Sequence, residues 1–407
     1  MATEQKSLNK ALGFIFLTVL IDVTGLGIVI PVLPQLIQEL SGYPLSDASR
    51  IAGYMGSSFS LMLFLFAPIM GGLSDRFGRR PVLLFSLFGF GLDYLLQGFA
   101  PSITWLFIGR IIAGITGSSF SAAGSFIADV SPPEKRAQNF GLIGAAFGLG
   151  FIIGPAIGAL LGNYGLRVPF FGSAVLALLN MLFGIFVLPE SLKPENRRAF
   201  DWKRANPLGT MRVLFSYPIV KGFLLSLFLV YVAHYALQST WSFYTIEKFK
   251  WDAKMIGISL SIVGLMAAIV QGGLSRIIIP KLGNKHSILF AMIVAMFGYL
   301  AFAFAPTGWA MFAITVPFSF SGLSGPAMQG LISNQVPQNA QGELQGGMMG
   351  LMSFTAIIGP LLMTNLFGYF TNTSHAIYFP GASFLMASIL VLAGIIFIVK
   401  PLSRIHT

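Results

Sequence analysis

The sequence predicts an all-α membrane protein, with twelve transmembrane helices in two related six-helix bundles. Three observations predict it. Of 407 residues, 55% are hydrophobic and only 10% charged, against about 25% charged in soluble domains. Twelve stretches are long and apolar enough to cross a bilayer, which takes roughly 20 residues of helix. Short segments of the first half recur in the second at a nearly constant offset.

The twelve spans run 10–38, 51–71, 82–100, 104–126, 138–162, 168–188, 218–245, 256–278, 287–305, 308–332, 342–368 and 376–399. Span 1 is too long for a secretory signal, contains Asp22 and lacks a small-residue cleavage site. The segments are continuously apolar rather than alternating, which excludes a β-barrel. Composition excludes more. The net charge is +11, but a helical membrane protein collects Lys and Arg on its cytoplasmic side, so the basic balance does not point to nucleic acid. The chain has no cysteine, which removes disulfides, thiolate catalysis and cysteine metal sites. Four histidines are scattered without metal-ligand spacing, no nucleophile–base–orienter trio is evident, and no phosphate-binding loop occurs. An enzyme is the weakest reading. No cofactor is expected, and energy must come from an ion or substrate gradient or from a partner.

The loops set the orientation. Of the 25 Lys and Arg, 19 fall on the side that holds both termini, 5 on the other, and Arg110 within a span. The side richer in Lys and Arg is cytoplasmic, so both termini are expected there. Residues 189–217 are polar, basic and marked by proline. They read as a linker between a bundle at 1–188 and a bundle at 218–407, either solvated or lying on the anionic leaflet.

The two bundles look like copies. FAPSITW at 99–105 answers to FAPTGW at 304–309, and GGLS at 71–74 to GGLS at 272–275. Pro132, Gly141, Gly154 and Pro155 recur as Pro337, Gly346, Gly359 and Pro360, each 205 residues later. A duplicated six-helix unit is a common build for secondary transporters, with substrate held near mid-membrane.

Three motifs carry a family resemblance. GGLSDRFGRRPVLL at 71–84 joins spans 2 and 3 and resembles the signature loop of the major facilitator superfamily. LFIGRIIAGITG at 106–117 and GLGFIIGPAIGALLG at 148–162 resemble that superfamily's arginine motif in span 4 and the Gly-Pro motif of its proton-coupled drug antiporters. LIDVTGLGIVIPVLPQL (20–36), SFIADVSPPEKRAQNFG (125–141), FVLPES (186–191) and GELQGGMMGLMSFTAIIGPLL (342–362) are similar to the tetracycline-efflux branch. The resemblance implies a major facilitator fold, a small-molecule substrate, the proton as coupling ion, a monomer and the bacterial inner membrane. Two positions depart from that branch: Ala267 stands where it has a histidine, and Ala295 where it has an acid.

Ionisable residues inside a bilayer cost roughly 2.5–3.5 kcal/mol each and need a reason. Asp22, Asp93, Arg110 and His234 lie in spans and form the proton-coupling set. Asp22 precedes Gly25, Gly27, Pro31 and Pro34 in a bendable helix. It is either a protonatable carboxylate or a fixed partner of Arg110 or of backbone. Asp93 has Gln97 one turn on, the same helix face, and is either a proton or substrate contact or a buried packing acid. Arg110 keeps its proton; the resemblance implies that it couples to a nearby carboxylate, and a structural ion pair is the other reading. His234 either titrates near neutrality or hydrogen-bonds a neighbouring helix.

The resemblance implies that Gly71, Asp75, Arg76, Gly78, Arg79 and Arg80 form a gating loop; Asp129 is read either as its partner in the outward-facing state or as a solvated helix end. Gly150, Gly154, Pro155 and Gly158 repeat small residues every four positions, a spacing that lets helices pack backbone to backbone; the resemblance implies that they also seal against proton leak. Phe59, Gln97, Gln238, Trp241, Tyr244 and Asn334 are polar or aromatic residues within spans, the types that build substrate sites. The function expected is a proton-coupled exporter of an amphiphilic small molecule. The alternatives are an importer or facilitator of a polar metabolite, and a transport-dead scaffold or sensor.

Overall fold

The computed structural model describes residues 2–131, 136–200, 218–333 and 341–403, and among them there is no strand. Helices α1 to α8 are Ala2–Val29, Leu33–Ser41, Leu45–Phe77, Arg79–Gly98, Ile103–Thr116, Ser119–Val130, Arg136–Gly162 and Val168–Val187. Helices α9 to α15 are Pro218–Phe249, Ala253–Ala267, Ser275–Phe304, Gly308–Phe318, Ser324–Ser333, Gln341–Phe370 and Ala382–Ser403. Among the described residues, ten helical runs are long and apolar enough to cross a membrane. One of them, Ala253–Phe304, is 52 residues long and turns at Gly283, whose φ of 73° only glycine adopts readily. It therefore holds two spans. Residues 308–333 make the twelfth; a 3-10 turn at Ser319–Leu323 interrupts them.

Span 1 is broken where its sequence allows it. α1 stops at Val29, and α2 starts after Pro31, because a proline ring removes a donor and crowds the preceding turn. Span 4 breaks at Gly117 and Ser118, between α5 and α6. Span 8 widens into a π-helix over Ala268–Leu274.

Contacts divide the chain into two compact units. The first comprises residues 1–41, 58–206 and 253–264; the second comprises 42–57, 207–252 and 265–407. This grouping differs from bundles at 1–188 and 218–407 in two short helix starts, and glycine explains both. In the first unit, a methyl on Gly257 would lie 2.5 Å from the Pro155 carbonyl oxygen. In the second, a methyl on Gly53 would lie 3.2 Å from the Pro360 carbonyl oxygen. The internal repeat seen in the sequence thus recurs as one contact made twice. Ser261 hydroxyl donates to the Ile152 carbonyl at 2.8 Å in the first, and Ser57 hydroxyl to the Ile357 carbonyl at 2.7 Å in the second.

Each unit has its own core. In the first, Phe14, Ile15, Val19 and Val23 of α1 pack with Phe126 and Ile127 of α6 and Ala146 of α7. In the second, Trp241 meets Phe302 and Phe384 edge-on, with ring centroids 5.4 and 6.4 Å apart. The outward faces are apolar as well. α8 exposes Val175, Leu179, Leu182, Phe183 and Phe186 along one stripe, the pattern of a helix whose solvent is lipid.

Candidate functional site

Two clusters of charged residues stand out within the first unit. The first lies in the spans. Arg110 of α5 forms an ion pair with Asp93 of α4. Gln97, one turn on, donates from Nε2 to Asp93 Oδ1 at 2.8 Å. The Arg110 guanidinium carbon stands 5.7 Å from the centre of the Phe59 ring, within cation–π range. Asp93 is fully buried. Asp93 and Arg110 of the coupling set and Phe59 and Gln97 of the substrate set thus come together.

Asp22 is placed apart from them. Arg110 is taken by Asp93, so the reading of Asp22 as its fixed partner is corrected: α5 packs on α4 and sets Arg110 beside Asp93. Asp22 is only 6% exposed, and neither carboxylate oxygen makes a hydrogen bond among the described residues. Its neighbours are the Ser119 hydroxyl of α6 and the Tyr94 phenol of α4. A narrow crevice runs past it, lined by Gly25, Phe90, Tyr94 and Ser173 and too tight for a water molecule. Sequence reasoning missed Tyr94 and Ser119. Tyr94 directly follows Asp93, yet its side chain turns to the other face of α4, where it meets α1.

The second cluster lies at the α3–α4 loop. Arg79 donates to Asp75 Oδ1 at 2.5 Å, to Asp129 Oδ2 at 3.0 Å and to the Ser74 hydroxyl at 3.2 Å. Asp129 is therefore the partner of this loop, through Arg79. Arg80 donates instead to the Ile185 carbonyl in the last turn of α8, and Arg76 stacks over Phe77 at 5.0 Å. Gly78 adopts a φ of 108°, where a side chain is strained. Gly71 has open space around it. One residue here was not foreseen. Glu190 accepts from the backbone N–H of Arg79 at 2.8 Å and of Arg80 at 3.2 Å. The signal was present in FVLPES, an acid three residues past a helix end.

Gly150, Gly154 and Gly158 pack α7 against α1. A methyl on Gly150 would lie 2.7 Å from Val23 Cβ, and one on Gly154 would lie 2.6 Å from the Thr24 carbonyl oxygen. One on Gly158 would lie 3.0 Å from Ile28 Cα, and Pro155 Cδ bears on Gly27 in the same strip. In the second unit, His234 and Gln238 stand one turn apart on an exposed face of α9. Trp241 and Tyr244 follow further along the same helix. Both are buried, and Tyr244 donates to the Phe302 carbonyl at 2.6 Å. Their placement in the aromatic core corrects their nomination as substrate-lining residues: at their level of α9 the rings of Phe302 and Phe384 cover them. Asn334 lies outside the described residues. Ala295 is buried and Ala267 half-buried, so neither position brings a polar group to the second unit.

Twelve apolar spans in a duplicated array, with charges held inside them, define the class: a polytopic membrane transporter, not an enzyme. The model of the Major Facilitator Superfamily matches residues 15–360, and the chain belongs to that superfamily. The class C tetracycline resistance protein of Escherichia coli is 39% identical over 368 residues, 90% of this chain and 91% of that protein. The class H protein of Pasteurella multocida is 34% identical over 94% of each chain. Among solved structures, the human organic anion transporter MFSD10 (TETRAN) aligns with a TM-score of 0.73 at 24% identity, covering 96% of this chain and 99% of that one. The nucleoside transporter NupG aligns with a TM-score of 0.74 at 13% identity, over 96% of this chain and 99% of its own. These two show the shared fold.

Proposed function

We propose that this protein is a proton-coupled exporter of an amphiphilic small molecule or drug, working by alternating access as a monomer. It would sit in the bacterial inner membrane with both termini in the cytoplasm. The observation that carries the reading is Asp22, a buried carboxylate with no cation beside it among the described residues, in a helix broken at Pro31. Among the described residues, an ionised carboxylate there has no countercharge to offset its loss of hydration. Protonation and helix position are therefore linked: the proton-bound form tolerates the closed crevice, and the charged form favours an arrangement that reaches water. Asp93, neutralised by Arg110 and bonded by Gln97, serves as the fixed element against which α1 moves. The tetracycline-resistance relatives support export of a drug-like cargo. Ala267 and Ala295 support a cargo distinct from tetracycline.

The driving force suffices. One charge crossing 100 mV is worth about 2.3 kcal/mol, which sustains roughly a fifty-fold substrate gradient.

The test uses proteoliposomes loaded with a fluorescent neutral amphiphile, and separately with tetracycline as the cargo not expected to move. Acidifying the outside is expected to drive efflux of the amphiphile through the native protein. Asp22→Asn is expected to lose gradient-driven efflux and keep substrate counterflow. Co-accumulation of substrate with protons would instead establish import, and gradient-driven efflux at the native rate in Asp22→Asn would remove Asp22 from the coupling.

A further inference from the structure

Residues 185–200 do not leave the gating loop alone. Glu190 Oε1 accepts from the Arg79 N–H at 2.8 Å and from the Leu192 N–H at 3.0 Å, and Glu190 Oε2 accepts from the Arg80 N–H at 3.2 Å. The first two N–H groups of α4 therefore end on one carboxylate. Those groups have no partner within the helix, and a negative charge at that end is favoured by the helix dipole. The approach is close. A methyl on Gly78 would lie 2.6 Å from Glu190 Cδ, so the glycine serves both its backbone angle and the carboxylate.

The rest of the segment follows the same course. Ser191 hydroxyl donates to Asp129 Oδ2 at 3.0 Å, the oxygen that also takes Arg79. The Arg198 N–H donates to the Asp75 carbonyl at 3.1 Å, and the Phe200 ring lies against Gly72. Asp75, Arg79 and Asp129 thus face a cavity of about 560 Å³ whose other wall is Leu192, Glu195, Asn196, Arg197 and Arg198. The start of the linker is a strap across the loop rather than a free connector.

We propose that Glu190 is a positioning residue of the transport cycle: its carboxylate holds the first turn of α4 so that the Arg79 guanidinium reaches Asp75 and Asp129 together. The inference rests on the reading of residues 71–80 as a gate. Glu190 bonds the backbone of Arg79, and the Arg79 side chain bonds the two acids. Releasing the backbone lets the first turn fray and withdraws the guanidinium from both.

The absence of cysteine allows a direct test. Ser74 is 2% exposed beneath Arg79, so Ser74→Cys supplies a single buried thiol in the purified full chain. Glu190→Gln in that background is expected to raise its maleimide labelling rate about tenfold, the scale of one charge-assisted hydrogen bond. In an Arg79→Ala background, where the thiol is already open, Glu190→Gln is expected to add less than twofold. Should the glutamine variant not accumulate in the membrane, Glu190→Asp runs the same cycle. Its expected gain is about threefold, the carboxylate being one methylene short.

Labelling unchanged by the Glu190 variant would overturn the inference. So would an equal gain with and without Arg79, because independent effects add. Transport separates the two ideas. If Asp75→Asn and Arg79→Ala transport at the native rate, the gate itself is lost. If they are impaired while Glu190→Gln labels and transports like the native chain, only the role of Glu190 is lost.

Discussion

Gly109 makes the room in which Asp93 stands: a methyl on Gly109 would lie 2.5 Å from Asp93 Oδ1. The residue after it, Arg110, is the ion-pair partner of that carboxylate. One short segment of α5 thus supplies both the space and the countercharge. A buried ion pair adds little net stability over apolar packing, whereas breaking it strands a charge at a cost of about 3–5 kcal/mol.

Asp93→Asn and Arg110→Gln are each expected to lower stability by about 3 kcal/mol. The double variant is expected to recover at least half of the summed loss, since it leaves no stranded charge. Thermal unfolding of the detergent-solubilised protein measures this. Strict additivity would mean that the two side chains do not act as a pair.

Asp22→Asn and Asp93→Asn are expected to part company. Among the described residues Asp22 has no cation beside it, so an amide there strands no countercharge and is expected not to lower stability. The same replacement at Asp93 exposes Arg110 to its own desolvation. Side-by-side melting curves decide it; an equal drop for both would place a hidden countercharge at Asp22.

Gly154→Ala is expected to cost about 1–3 kcal/mol, because the added methyl meets the Thr24 carbonyl oxygen at 2.6 Å and has backbone on the other side. Gly144, on the same helix, has nothing within 4 Å. Gly144→Ala is therefore expected to be neutral or slightly stabilising through helix propensity. Equal stability of the two alanine variants would show that α1 and α7 tolerate a wider spacing.

Tyr378, in the connection before α15, donates to Glu247 Oε1 at 2.6 Å. Partial burial, and then this bond and the charge of Glu247, push its phenol up to about 12. A raised value means that the folded state holds the proton more tightly than the unfolded one. The contribution is therefore complete below about pH 10, the unfolded value, and is lost as pH rises through the folded value. Ultraviolet titration of phenolate absorbance is expected to show this tyrosine shifting down in Glu247→Gln. No shift would mean that burial alone sets it.

The spans, their number and the duplication were legible along the chain, because lipid permits few departures from long apolar helices. Even the breaks had local causes on view: Pro31, Gly117 and Gly283 sit where helices stop or turn. Asp22, Asp93 and Arg110 stood out for the same reason, as charges where charge is costly. The pairing among them was not legible. Which carboxylate Arg110 meets depends on how α5 lies on α4 and which face of each helix turns inward, and no spacing in one dimension specifies that. The same holds for Trp241 and Tyr244, whose residue types suit a binding face as well as a core. Glu190 lay over a hundred residues from the loop that it caps, in a segment whose composition suggests only a polar connector. Folding brought α8 beside α4 and set that carboxylate on two N–H groups left without partners by helix geometry, a relation that exists only in three dimensions.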